Sequence, residues 1–148
     1  MPTIAAVTGH GSAAGFVFVT AHDYILIRKD RVFFYISELD IDLQIPLWFV
    51  VFMKSKIGSP KTWGEVVIKA AELTIEMGLK GGIVDSAHDG LESMVEAATK
   101  LGEELVRTGW DGLVYVENQR ALFVEVLSTL RCNKIVDYES VFKTVSKL

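Results

Sequence analysis

Three acids at alternating positions, Glu38, Asp40 and Asp42, are the residues best placed by type and spacing to do chemistry. Leu39, Ile41 and Leu43 stand between and after them. In an extended stretch successive side chains face opposite ways, so the three carboxylates would share one face. Hard divalent cations such as magnesium take oxygen ligands, commonly one or two carboxylates with several retained waters. The following apolar run, Leu47–Met53, ends in Lys54-Ser55-Lys56. An ammonium at Lys54, set across from the acids, would steady negative charge developing on a phosphoryl oxygen. The same pattern also fits a polar edge strand whose charges deter edge-to-edge pairing.

The elements that would position these groups are strands. Leu47–Met53 is unbroken, of strand length, and rich in aromatic and β-branched residues, which suits a strand covered on both faces. Upstream, Thr3–Thr8 reads as a short strand. Phe16–Thr20, Tyr24–Arg28 and Arg31–Ile36 read as three more, joined by tight connections at Ala21–Asp23 and Lys29-Asp30. That succession implies an antiparallel meander leading into the acidic stretch. The glycine cluster from Gly9 to Gly15 lacks the GxGxxG and GxxxxGK[ST] spacings, so it reads as a flexible turn rather than a nucleotide loop.

Beyond Lys56 the period changes from two to about 3.6. Ser59-Pro60 supplies an N-cap and a first-turn proline for a helix reaching Gly78. Gly81–Asp85 reads as a short buried strand. A second helix runs from about Ala87 to Thr108, with Ser86 and Asp89 as its capping box and Gly109 as its stop. Leu113–Val116 reads as a strand, Gln119–Leu130 as a helix capped by Asn118, and Ile135-Val136 as a strand remnant before a last helix capped by Asp137. Alternating helix and strand is the pattern of parallel crossovers. The expected fold is a single α/β domain with a mixed sheet, an antiparallel N-terminal meander followed by β-α-β-α-β-α crossovers.

Polar loops follow the strands of the crossover half, where ligands gather in open α/β sheets. Lys56, Ser59, Lys61 and Thr62 form the candidate anion-binding group, although helix capping explains the hydroxyls without any ligand. His88 between Asp85 and Asp89 would suit a metal or a proton shuttle. Arg28, Lys29, Arg31, Lys54, Lys56 and Lys61 would make one basic surface if the meander folds beside the main sheet, with Tyr24, Phe33, Tyr35 and Trp63 as stacking partners.

The chain has 148 residues, the size of one domain. Half its residues are hydrophobic and its mean hydropathy is +0.32, high enough to predict a homo-oligomer that buries surplus apolar surface. No apolar run approaches the roughly 20 residues that cross a bilayer, and no basic segment precedes an apolar one near Met1, so neither membrane nor export is expected. The single cysteine, Cys132, allows no intrachain disulfide and predicts a reducing, cytoplasmic setting. Two Asn and two Gln are few, a depletion seen in thermophiles. A net charge of −4 weighs against wholesale neutralisation of nucleic-acid phosphates without excluding a local basic patch.

Glu38-Leu39-Asp40, then Val50–Ser55, Lys80–Ser86 and Gly112–Glu117, within this order of elements, resemble the restriction-endonuclease-like (PD-(D/E)xK) family, especially its Mrr and RecB types. The resemblance covers roughly Arg31 to Leu130. It implies Asp40 as a metal-binding aspartate, Lys54 as the catalytic lysine, magnesium as cofactor and nucleic acid as partner. The position two before the lysine, where the family carries an acid, is Phe52. An aromatic ring cannot ligate magnesium, so the resemblance implies a nuclease-like domain with impaired catalysis. The alternative is a self-associating ligand-binding or interaction module without catalytic activity.

Overall fold

Parallel pairing, not an antiparallel meander, organises the strands. The computed structural model describes residues 1–30, 34–36 and 38–132. Strand β1 (Ile4–Val7) and strand β2 (Gly11–Ser12) precede helix α1 (Ala14–Thr20), and β3 (Tyr24–Arg28) and β4 (Phe34–Tyr35) follow it. A 3-10 turn (Glu38–Ile41) leads into α2 (Leu47–Lys56), α3 (Pro60–Trp63), a π turn (Gly64–Ile68) and α4 (Ile75–Lys80). After β5 (Ser86–His88) come α5 (Leu91–Arg107), α6 (Gly112–Leu122) and α7 (Val124–Cys132). One sheet has the order β1-β3-β5 and the other pairs β2 with β4; these strands pair in parallel, and Phe34 of β4 also makes an isolated antiparallel bridge to Leu73. The α/β expectation holds, and the antiparallel meander does not.

The meander fails at Phe16–Thr20, which is helical. Phe16 and Thr20 stand four apart, both fully buried, on one helix face. The Thr20 hydroxyl donates to the Phe16 carbonyl at 2.8 Å, which satisfies the buried polar atom within the helix. Phe16 stacks on Phe34 of β4 with ring centroids 5.0 Å apart. Gly11 is required beside that pair, since a Cβ there would lie 2.9 Å from the Phe34 ring. Packing of this aromatic pair outweighs the β-propensity of the Phe-Val-Phe-Val run.

The supposed central strand Leu47–Met53 is the body of α2. Pro46 at its N-cap position has extended backbone (φ −62°, ψ 148°), and the helix buries Phe49, Phe52 and Met53. Trp48 and Val51 are half-buried against the same core. An apolar run that is covered on most sides has no visible period, so strand and helix look alike in it. Lys54 and Lys56 lie in the last turn, where cations complement the helix dipole. The acidic stretch is likewise not a strand: Glu38–Ile41 is a tight 3-10 turn and Asp42 is left-handed at φ 53°.

Downstream, the cap is as expected: Ser59 Oγ accepts the Thr62 N–H, with Pro60 at the first helical position. The long helix to Gly78 is instead α3, a π turn and the separate α4. Gly78 lies inside α4, buried against Val84, and the helix stops at Gly81. Residues 81–85 are a turn rather than a strand; the strand begins at Ser86, so Ser86 caps nothing. Helix α5 is capped through Gly90 and Ser93, and Gly109 follows it at φ +64°. Leu113–Val116 is helical, inside α6, which is capped by Asp111 rather than Asn118. The expectations for Ile135-Val136 and Asp137 lie outside the described residues. The core gathers Ile25 and Ile27 of β3, Phe34, Phe49, Met53, Ile57, Val66 and Leu73 between the sheet and α2.

Candidate functional site

Strands β2 and β4 end side by side, with Gly11 opposite Phe34 and Ser12 opposite Tyr35. The chain leaves β2 through Ala13, whose backbone sits at φ 48° and ψ −122°, a conformation that L-residues avoid. Its N–H donates to the Tyr35 carbonyl at 2.9 Å, tying the start of α1 to the end of β4. Phe16 and Val17 then donate to the Ala13 carbonyl. The N–H groups of Ala14 and Gly15, at the first two positions of α1, meet no acceptor among the described residues. Both residues are exposed.

Three residues beyond Tyr35 stands Glu38, the first residue of the 3-10 turn. Its Oε2 is buried without a hydrogen-bond partner, the one such side-chain atom among the described residues. Asp40, two positions on, is exposed and accepts a hydrogen bond from the Tyr35 hydroxyl. Asp42 is exposed beyond the turn. The three acids therefore do not share a strand face, and among the described residues no group of three or more acidic, histidine or cysteine side chains is arranged to hold a metal ion. What the turn provides is one unpartnered carboxylate oxygen, three residues beyond the Tyr35 carbonyl that holds the strained Ala13.

The other expected site residues are scattered. Lys54 lies over the Trp63 ring at 5.0 Å, and Phe52 is core, buried on α2. The Ser59 hydroxyl is occupied by capping α3, where it accepts the Thr62 backbone N–H, and Lys61 is exposed in that short helix. Lys56 turns away from them: its ammonium donates to the His22 carbonyl at 3.1 Å and lies 5.1 Å from the Phe123 ring centre. Burial lowers its pKa, with Asp23 and Asp85 pulling the other way. Asp85 is structural, its carboxylate accepting the Ile25 N–H at 2.6 Å. His88 bonds Ser86 at 2.8 Å, while Asp89 pairs with Lys29 and Asp30 with Arg28. Of the expected basic surface, Arg28 and Lys29 are thus paired with neighbouring carboxylates, and Arg31 and Phe33 lie outside the described residues. Sequence reasoning missed Ala13–Gly15; the signal for it was a run of small residues closing a strand, and Ala13 rather than a glycine carries the left-handed turn.

Residues 1–129 match the family model described as enoyl-CoA hydratase/isomerase. The chain is 51% identical over 140 residues to enoyl-CoA delta isomerase 1, peroxisomal, of Arabidopsis thaliana, covering 95% of this chain and 57% of that protein. It is 42% identical to enoyl-CoA delta isomerase 3 of the same plant, covering 85% and 53%, and 40% identical to enoyl-CoA delta isomerase 2, peroxisomal, covering 88% and 55%. The chain thus spans little more than half the length of these relatives. Among solved structures it resembles an enoyl-CoA hydratase/isomerase family protein from Pseudomonas syringae (TM-score 0.73, 17% identity, 84% of this chain and 52% of that one). An enoyl-CoA hydratase from Mycobacterium ulcerans is similar at a TM-score of 0.72, with 18% identity over 84% of this chain and 52% of that one. These matches overturn the restriction-endonuclease resemblance, whose motif rested on strands that are a turn and a helix, and leave Asp40, Lys54 and magnesium without the family likeness that implied their roles. The chain belongs to the enoyl-CoA hydratase/isomerase family.

Proposed function

We propose that this chain carries the proton-transfer centre of an enoyl-CoA delta isomerase, with Glu38 as its acid–base carboxylate. The observation that carries the reading is Glu38 Oε2, buried and unpartnered. A buried acceptor left unpaired costs about 1–3 kcal/mol, and a catalytic role is one explanation for keeping it. Moving a C=C bond along an acyl thioester takes one proton from the carbon beside the carbonyl and returns one two carbons further on. While the proton is off, the electron pair spreads onto the thioester oxygen. One carboxylate can make both transfers and end unchanged. Adding water across the bond calls for a second group to activate that water, and the nearest other acid in the turn, Asp40, is held by Tyr35. The exposed Ala14 and Gly15 N–H groups would receive the thioester oxygen as its charge develops. The relatives' names supply the substrate class.

The test is conversion of a 3-enoyl-CoA to its conjugated 2-enoyl isomer, followed by ultraviolet absorbance. Wild-type protein should catalyse it, and Glu38→Gln should lower kcat by about 10²–10⁴-fold with little change in KM. An inactive wild type, or a variant within tenfold of it, overturns the assignment.

In place of the cytoplasm we propose the peroxisome, the compartment named for the relatives at 51% and 40% identity. No helix among the described residues is long and apolar enough to cross a membrane. A fluorescent protein fused to this chain should collect in peroxisomes. Diffuse signal from the fusion would sink the idea.

A further inference from the structure

Helix α1 has a second end. Its first turn meets the Glu38 region through the Ala13–Tyr35 bond; its last turn runs into His22 and Asp23, roughly 10 Å away at 1.5 Å per residue. There a cavity of about 610 Å³ opens between α6 and the start of β3, a volume that suits a small organic ligand. Its walls are apolar and aromatic: Trp110 and Tyr115 stack at 6.0 Å and 11°, and Leu122 and Phe123 continue the surface. Its polar lining is Asp23, Lys56, Asp111, Asn118 and Gln119, with Lys56 the one cation.

Asp23 and Lys56 are not equivalent. The Asp23 carboxylate is saturated: Oδ2 accepts the Thr3 N–H at 2.7 Å and the Thr3 hydroxyl at 2.8 Å, and Oδ1 accepts the Gln119 amide at 2.6 Å. Lys56 spends one of its three donors, on the His22 carbonyl. None of the ion pairs among the described residues involves it. A half-buried ammonium that spends one donor among the described residues, in the lining of an aromatic slot, is a donor to a ligand carboxylate. The nearby Asp23, Asp85 and Asp111 carboxylates disfavour ligands of higher negative charge, such as a nucleotide polyphosphate.

We propose that this cavity binds a small aromatic monocarboxylate, its ring system against Trp110 and Tyr115 and its carboxylate on Lys56, at a site separate from Glu38. The proposal is independent of the isomerase reading. The probe is 2-naphthoate, titrated by calorimetry into the whole chain, with neutral 2-naphthalenemethanol as its uncharged counterpart. Saturable binding of one naphthoate per chain is expected. It should weaken at least tenfold for the alcohol and for Lys56→Met, weaken similarly for Trp110→Ala, and stay unchanged for Glu38→Gln. The alcohol comparison uses unaltered protein, so it decides the charge contribution even if Lys56→Met fails to fold. Absence of saturable binding to the wild type, equal affinity for acid and alcohol, or loss of binding in Glu38→Gln each overturns the proposal.

Discussion

Among single residues, Glu38 and Asp40 show how little spacing says about role. Both were legible as chemically able acids, two apart in a polar-apolar alternation. Alternation over so few residues does not separate a strand from a tight turn, and nothing in the residue types says which carboxylate finds a hydrogen-bond donor. The hydroxyl of Tyr35 decides it, by taking Asp40 and leaving Glu38 alone. Asp23 is the opposite case, an acid in a loop with no motif around it that nevertheless anchors Thr3 at the start of the first strand. Burial pushes its pKa up, but hydrogen bonds from Thr3, Tyr115 and Gln119 together outweigh that and hold it below 3.8. A depressed folded-state value means stability that is present above the unfolded pKa and lost as pH falls through the folded one. Asp23→Ala should therefore destabilise at neutral pH, by about 1–3 kcal/mol given the donors left unpaired. The gap from wild type should narrow in melts taken below pH 3.8. A gap that is constant down to the acid transition would show that the ionised carboxylate is not the source. Tyr115, in the same cluster, is pushed up to about 12, first by burial and then by its hydrogen bond to the Asp23 carboxylate.

For whole elements, the errors share one cause. Amphipathic α5, with a wet side and Gly109 beyond its end, is readable because one face meets solvent. So is the Ser59-Pro60 start, because capping is local chemistry. Helices α1 and α2 are not, because their apolar residues meet neighbours on several sides and the period vanishes. Ten residues of α2 between Pro46 and Ile57 would have favoured a helix by length. The same helix reverses an inference about Phe52. As a strand residue it stood in the place of a missing metal ligand; on α2 it is 8% exposed, inside the core. Phe52→Glu should then bring no magnesium binding and should destabilise by about 3 kcal/mol or more, from lost burial and a carboxylate without a partner. Thermal melts with and without magnesium decide it, and a variant as stable as wild type would refute the packing described for α2.

For the molecule as a whole, the surplus of apolar residues seen in the composition has a location. Leu39, Ile41, Leu43 and Leu47 are each about half exposed or more along the segment that follows Glu38, and Phe18 is 70% exposed on α1. Covering such surface is favourable by roughly 25 cal/mol per Å², before association costs. We propose that copies of this chain cover it for one another. Light scattering should return a multiple of 16.4 kDa, and a monomer mass over a wide concentration range would contradict this. The order β1-β3-β5 has a further consequence, for anyone engineering the protein. Both outer strands end the sheet with main-chain groups that no described strand pairs, and Ile4–Val7 carries no charged side chain. Backbone ladders recruit partners with little regard for sequence, so trimming the apolar segment would leave that route to aggregation open. A lysine in place of exposed Ala6 is the substitution that closes it, because a charge on an outer strand penalises any neighbour that would lie alongside.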